Sequence, residues 1–421
     1  MWKASRFNII KNVNGKTIIW NSRTGAVASL DDSTVSYLKN PEKCNISADI
    51  QSALSRNGFI IESNRNESEE ILRNADAASQ NAEGLYYVIA PTLACNYHCS
   101  YCFENDRTIF SSMTYETADA VIKFIESAIK NRTSTKYLHI NWFGGEPLLQ
   151  PDIISMISKS LMKCCNRYGI DYQASIVTNG RYLNRSNAER LRSLNVNKVQ
   201  ISFDGTEQVY CERKNASIDD YHSTIKNIVQ ASEILTGIVI RINISHAYFT
   251  DALALTHLLL KDHRLDGKIK VYCANTYEGT PESRIKEYSE FALGEEAFRG
   301  SFGTEYEKTS YFTPRSRARR MTCGLVCKDR FCIGPTGELY KCEHDFGKTD
   351  RIVGSIFGGF NENLLNEFML ANLQTLTRKE CQECSVFPVC LGGCPNHTLK
   401  GEIPFDCQAY KDYLFNLAIR T

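Results

Sequence analysis

Three cysteines within one short stretch, Cys95, Cys99 and Cys102, form the first group in this chain that is equipped for chemistry. The spacing Cys-x3-Cys-x2-Cys puts three soft thiolates in a single loop. Such a loop can hold three irons of a four-iron cluster and leave the fourth iron open. It can also hold zinc with His98 as a fourth ligand, since structural zinc normally takes four protein ligands. The tail carries a second series, Cys323-x3-Cys327-x4-Cys332-x9-Cys342, then Cys381-x2-Cys384-x5-Cys390-x3-Cys394, and finally Cys407. Its two-residue spacing suits zinc knuckles as well as iron–sulfur clusters. Cys44, Cys164, Cys165, Cys211 and Cys273 are scattered and read as small buried hydrophobes.

The chain has 421 residues, enough for two or three domains. Seventeen cysteines are too many for an ordinary chain of this size. With no signal-peptide pattern at the N-terminus, they point to metal or redox work in a reducing compartment rather than to disulfides. Lys plus Arg is 49 against 48 Asp plus Glu, so the net charge of +1 argues against bulk electrostatic binding of nucleic acid. No apolar run is long enough to span a bilayer, and the expected location is the cytoplasm.

The cysteines need a scaffold, and the pattern supplies three segments. Residues 1–62 read as a small unit. Phe7–Val13 and Thr17–Asn21 are strand-like runs around the turn signal Asn14-Gly15, with a possible third strand in Arg23–Leu30. Helices follow from Asp32, which is taken as the cap, and over Ser47–Asn57; Phe59-Ile-Ile is a short closing strand. Residues 63–84 are polar and read as a linker with a possible short helix. Residues 85–294 alternate strand and helix. Strands are expected at Tyr86–Ala90, Tyr137–Trp142, Asp171–Val177, Lys198–Phe203, Ile238–Ile244 and Lys268–Cys273. Helices are expected at Thr114–Lys130, Pro151–Tyr168, Asn187–Ser193, Tyr221–Leu235 and Thr250–Lys261. Six such units predict an α/β fold, a parallel sheet curled in partial barrel style, with chemistry at the C-terminal strand ends. Residues 295–320 read as a bridging segment and 321–421 as the cysteine-rich domain.

The first cysteine loop, with aromatic Tyr101 before its last cysteine, resembles the signature of the radical S-adenosylmethionine (SAM) superfamily, and the resemblance continues along the barrel. Gly144-Gly145-Glu146-Pro147 after the second strand resembles the element that binds the SAM amino group; a carboxylate and carbonyl edges at a glycine turn suit an ammonium ion. Thr178-Asn179-Gly180 after the third strand is placed like the ribose-side segment. Ser202 and Asp204 after the fourth strand, with Arg213 downstream, resemble a further recurrent element. Arg241 and Asn243 end the fifth strand where the family contacts the SAM carboxylate and ribose. This resemblance implies a [4Fe-4S] cluster on Cys95, Cys99 and Cys102 with SAM on its open iron, and Tyr101 beside the cofactor. Reductive cleavage of SAM would yield a 5′-deoxyadenosyl radical that abstracts hydrogen from an unactivated carbon.

Cys327-x9-Gly337-x4-Cys342 and the cysteines after it resemble the SPASM extension, which implies two auxiliary [4Fe-4S] clusters and three clusters in all. By that resemblance Cys327, Cys342 and Cys394 serve the first auxiliary cluster, and Cys381, Cys384, Cys390 and Cys407 the second. Cys323 is favoured over Cys332 as the remaining ligand, with Cys332 as packing. Glu343 stands where sulfatase-maturating relatives carry a catalytic aspartate and is the candidate base. Residues 1–62 resemble a RiPP recognition element, a winged-helix-like module that adds a precursor's leader as a strand to a sheet edge; a structural cap on the barrel is the alternative. The favoured function is therefore a peptide maturase that closes a cross-link in a ribosomally made precursor peptide, a thioether first and a carbon–carbon or carbon–oxygen bond next. Its electron donor would be a flavodoxin or ferredoxin. The alternatives are an anaerobic sulfatase maturase forming formylglycine, and a non-catalytic metal or redox protein.

Overall fold

The computed structural model of the chain describes residues 1–80, 83–105, 107, 109–276, 318–319, 321, 323–401 and 407–419. The bridging segment expected at 295–320 lies outside them except for Ala318 and Arg319. The chain divides into two compact units. One comprises Met1–Asn81, Thr313–Gly324 and Met369–Thr421, the other Ala82–Phe312 and Leu325–Phe368.

In the first unit, β1 (Trp2–Ala4) precedes a meander of β2 (Asn8–Val13), β3 (Lys16–Asn21) and β4 (Val27–Leu30), paired antiparallel in that order. Asn14 and Gly15 both take positive φ in the β2–β3 turn, the conformation that tight hairpins demand. α1 (Asp32–Lys39) is capped by Asp31, whose carboxylate accepts from the Thr34 N–H at 2.7 Å; the cap is thus one residue earlier than the expected Asp32. α2 (Ala48–Arg56) starts at the Ser47 cap, and β5 (Ile60–Glu62) pairs with β1. The polar stretch after it is a full helix, α3 (Glu67–Gln80), rather than a linker with a short one. Its first turn is acidic, which suits a helix N-terminus. Buried Glu67 ties it down, accepting from Ser5 Oγ at 2.9 Å and pairing with Arg23 at 3.0 Å.

α3 also reveals a junction that sequence order hides. Phe7, Ile71 and Ala75 share one core with Leu376, Phe387 and Leu391 of the cysteine-rich tail, and Cys381 and Cys384 pack against it. Ser22 Oγ donates to the Ser385 carbonyl at 2.5 Å and Ser68 Oγ to the Gln382 carbonyl at 3.3 Å. Truncating a side chain such as Phe387 in this core would cost about 3–5 kcal/mol.

The second unit is an α/β partial barrel. β6 (Gly84–Ile89), β7 (Tyr137–Trp142), β8 (Asp171–Thr178), β9 (Val196–Ser202), β10 (Ile238–Ile244) and β11 (Ile269–Asn275) run parallel, each paired with the next. Between them come α4 (Tyr115–Asn131), α5 (Pro151–Tyr168), α6 (Arg185–Ser193), α7 (Glu207–Lys214), α8 (Ile218–Ser232) and α9 (Phe249–Lys261). Alternate strand residues such as Leu138, Ile140 and Trp142 are buried with Val121, Ile125, Ile154 and Ile157 of α4 and α5. The sheet continues beyond β6 into the tail. β12 (Phe331–Ile333) pairs parallel with β6 and antiparallel with β13 (Glu338–Tyr340), followed by the short β14 (Gly354–Ser355) and β15 (Gly359–Phe360). Cys332 is fully buried in β12, opposite Tyr340. Among the described residues, no helix is long and apolar enough to cross a membrane.

Candidate active site

The loop carrying Cys95, Cys99 and Cys102 leaves the C-terminal end of β6, and the loops after β7 and β8 close on it. Gly144 and Gly145 make that approach possible. A Cβ on Gly145 would stand 2.2 Å from the Ala94 carbonyl oxygen, and one on Gly144 2.4 Å from that of Thr92. Gly144 also needs φ +108°, a conformation that favours glycine. The two loops are then stitched together, Gly145 N donating to Thr92 O at 3.1 Å and Glu146 N to Ala94 O at 2.9 Å.

Glu146 is fully buried, and its carboxylate is engaged inside the protein. Oε1 accepts from Leu148 N at 2.9 Å and Thr178 Oγ1 at 2.7 Å, and Oε2 from Asn179 N at 2.7 Å. Burial pushes this carboxyl above its ordinary range, while the donors from Asn179, Thr178 and Leu148 pull the other way. Pro147 follows in a short 3-10 turn. Asn179 then reaches the cysteine loop directly, its amide donating to Asn96 Oδ1 at 2.8 Å and lying 3.9 Å from Cys95 Sγ.

Beneath the loop lies a buried charge network. Lys214 Nζ is 2.9 Å from Asp204 Oδ2, both side chains essentially without solvent exposure. Tyr101 donates its hydroxyl to the same Asp204 oxygen and accepts from Lys214 Nζ at 3.3 Å. Asp204 Oδ1 accepts from Asn243 N at 2.6 Å, so the β10 end joins the network. Burial works against the Lys214 charge, but Asp204 and then Tyr101 and Cys99 outweigh it and hold the ammonium protonated. The Arg213 guanidinium stacks on Tyr101 at 4.6 Å and on Tyr248 at 4.4 Å. Arg241 Nε donates to Asn243 Oδ1 at 2.7 Å, and Ser202 is its register partner on β9. The sequence singled out Tyr101, Asp204, Arg213, Arg241 and Asn243 but missed Lys214, which carries no motif and gains its meaning only from Asp204.

The donor set fits an iron–sulfur cluster in its chemistry. Burial raises the Cys95 thiol to about 12 and the Cys102 thiol to about 11, and Cys99 acts electrostatically on both. Thiols so placed become thiolates only against a strong positive charge, which a cluster's irons supply. In the first unit, Cys381, Cys384, Cys390 and Cys407 also sense one another, and burial raises Cys390 to about 12. Among the described residues, no three His, Cys, Asp or Glu side chains are arranged to hold a single metal ion.

The remaining expected ligands lie as follows. Cys327 is buried at the end of a short turn, with Lys341 Nζ donating to its carbonyl at 2.8 Å; Cys342 is half-buried just before Glu343. Cys323 and Cys394 are half-buried residues of the other unit. Glu343 is half-buried, and loss of water around it pushes its carboxyl up against the pull of the Arg241 guanidinium. Next to it His344 stacks on Phe103, ring centroids 4.2 Å apart.

Comparison with known proteins agrees with this geometry. Residues 89–255 match the Radical SAM superfamily. The chain is 29% identical over 260 residues to the radical SAM cyclopropyl synthase TigE of Paramaledivibacter caminithermalis, a match covering 54% of this chain and 53% of that protein. It thus spans about half the length of that relative. It is 25% identical over 340 residues to the serine-type anaerobic sulfatase-maturating enzyme of Klebsiella aerogenes, covering 72% of this chain and 78% of that one. Its fold resembles Streptococcus suis SuiB bound to precursor peptide SuiA, with TM-score 0.54, 17% identity and coverage of 94% of this chain and 96% of that one. Residues 89–255 thus carry a radical SAM domain, and the cysteine-rich C-terminus fits a SPASM-type domain.

Proposed function

We propose that this chain is a radical SAM peptide maturase that abstracts hydrogen from a residue of a ribosomally made precursor and closes an intramolecular cross-link. The observation that carries the reading is the run from Glu146 through Asn179 to Cys95, which locks three strand-end loops around one cysteine site. Bound there, a [4Fe-4S] cluster and SAM supply a 5′-deoxyadenosyl radical able to take hydrogen from an unactivated carbon. The protein's own part is to hold and shield. The Gly144–Gly145 backbone receives the ammonium group, with Glu146 as a brace. Thr178 and Asn179 face the ribose side, and Arg241 with Asn243 the carboxylate and ribose. Glu343, beside Arg241, is the candidate base.

Two features support a peptide substrate with a leader. β4 pairs only with β3 among the described residues, and Val27 on it is exposed, so a further strand has an edge to join. The likeness to SuiB, whose structure holds a precursor peptide, leaves too little of the chain uncovered to omit the N-terminal module. The sulfatase-maturase match covers less of it. For bond type, the thioether stays first, and the cyclopropyl synthase relative raises carbon–carbon closure beside it. Cys381, Cys384, Cys390 and Cys407 are assigned to one auxiliary cluster on the SPASM resemblance, and the electrostatic effect of the other three on the Cys390 thiol supports that grouping. Cys323, Cys327, Cys342 and Cys394 are carried forward to the other on the SPASM resemblance. The reductant would be a flavodoxin or ferredoxin.

The test is anaerobic incubation of the reconstituted enzyme with SAM, a strong reductant and candidate precursor peptides taken from short reading frames neighbouring its gene. Loss of two hydrogens per site, with 5′-deoxyadenosine formed, is the expected result. A product whose cysteine no longer alkylates marks a thioether; an alkylatable one marks carbon–carbon or carbon–oxygen closure. Conversion of a sulfatase peptide to formylglycine, with the candidate precursors unchanged, would overturn the reading.

A further inference from the structure

The end of α7 holds the first cysteine loop more fully than the loop holds itself. Within the loop the internal bonds are Cys102 N to Cys99 O at 3.2 Å and Tyr97 N to Cys95 Sγ at 3.5 Å. From α7, the carbonyl of Arg213 accepts from Ser100 N at 3.0 Å and that of Lys214 from His98 N at 3.4 Å. Tyr210 donates to Tyr97 OH at 3.2 Å. The Lys214 ammonium reaches Tyr101, the residue between Cys99 and Cys102.

A fully buried ion pair is a poor way to gain stability, because desolvating both charges cancels most of their attraction; apolar replacements of similar volume are often neutral or better. Lys214 and Asp204 are therefore not explained by stability. What the pair does provide is geometry. Tyr101 OH donates to Asp204 while accepting from Lys214, and Asp204 is itself pinned by Asn243 N. A tyrosine hydroxyl held from both sides fixes the backbone that carries the flanking thiols.

We infer that Lys214 is a positioning residue for the first cysteine loop: through the Tyr101 hydroxyl and their shared acceptor Asp204 it sets the placement of Cys99 and Cys102 on which cluster binding depends. This rests on the reading of Cys95, Cys99 and Cys102 as cluster ligands.

The experiment compares Lys214→Met and Tyr101→Phe with wild type, all anaerobically reconstituted. Readouts are iron per chain, the melting curve, and the part of the reduced-cluster EPR spectrum that changes when SAM is added. Lys214→Met is expected to lose most of the SAM-responsive signal, because it leaves the Asp204 carboxylate buried without its cation and the Tyr101 hydroxyl without its donor. Tyr101→Phe, which keeps the ring and the Lys214–Asp204 pair, is expected to retain the wild-type melting curve but show a shifted and weakened SAM-responsive signal. A wild-type SAM-responsive spectrum in Tyr101→Phe, whatever happens to the Lys214→Met melting curve, overturns the inference and leaves Lys214 a structural residue only. A Cys95→Ala/Cys99→Ala/Cys102→Ala chain that keeps all the wild-type iron would instead overturn the cluster reading itself.

Discussion

Replacing Glu146 with glutamine separates a brace from a ligand. The carboxylate accepts three hydrogen bonds at 2.7–2.9 Å from Leu148, Thr178 and Asn179. A glutamine can keep its oxygen toward two of these donors, but its amino group then faces the Asn179 N–H. One buried donor is left unpaired, at about 1–3 kcal/mol, and the other two bonds lose their charge assistance. Removing a buried charge offsets part of that loss, so Glu146→Gln should destabilise by about 2 kcal/mol. That corresponds to a fall in melting temperature of roughly 5 °C for a unit of this size. Glu146→Ala orphans all three donors and should cost about 5 kcal/mol. The assay is denaturant or thermal unfolding of the cluster-free, reduced chain, followed by SAM binding to the reconstituted one. A double-mutant cycle with Thr178→Val should show about 1 kcal/mol of coupling. If Glu146→Gln unfolds like wild type and loses only SAM affinity, the carboxylate faces the cofactor and the bracing argument is wrong.

Three further outcomes follow from particular contacts. Gly392 has φ +80°, and a Cβ there would lie 2.0 Å from the Thr375 carbonyl oxygen; Gly392→Ala should therefore distort the Cys390–Cys394 turn and lower iron per chain, with Gly401→Ala, at φ +70° but with no atom within 4 Å, as the control for backbone strain without the clash. Glu343→Gln should leave 5′-deoxyadenosine formation intact while product falls by about 10²-fold, the usual weight of a general base; proportional loss of both would place Glu343 elsewhere in the reaction. His139 sits in the barrel with Nε2 2.9 Å from Ser175 Oγ. Burial lowers its pKa below the ordinary 6.5, with Lys198 and Arg330 adding to the shift and Gln173 opposing it. The unfolded chain then takes up the proton first, so stability should be full above 6.5 and decline as pH falls through it toward the lowered folded value. His139→Gln should flatten that slope in denaturation measured across the range.

The barrel was legible because its signals are local. Tyr137–Trp142, Ile238–Ile244 and Pro151–Tyr168 were expected with the observed bounds, since apolar alternation or a helical stripe runs the whole length of each. β1 went unread because three residues have no period, and its partner β5 lies far along the chain. α7 also went unread. Its sequence Glu-Gln-Val-Tyr-Cys-Glu-Arg-Lys lacks an apolar stripe, and its value to the site lies in the two residues at its end. α3 looked like a linker because its apolar residues are few and find their partners in the tail. The cap at Asp31 rather than Asp32 is a matter of reach, since the side chain must meet the N–H three residues on. The cysteine loop and glycine element were readable as motifs, but the inward turn of the Glu146 carboxylate was not, because it depends on where β8 ends.

Hydrogen abstraction from a precursor peptide can be followed by isotope. The precursor would be made with deuterium on its side-chain and α carbons and incubated anaerobically with the reconstituted enzyme, SAM and reductant. Deuterium should appear in 5′-deoxyadenosine in step with a cross-linked peptide, and neither should form with the Cys95→Ala/Cys99→Ala/Cys102→Ala chain. Unlabelled 5′-deoxyadenosine accompanying a modified peptide, or product formed without those three cysteines, would contradict that abstraction.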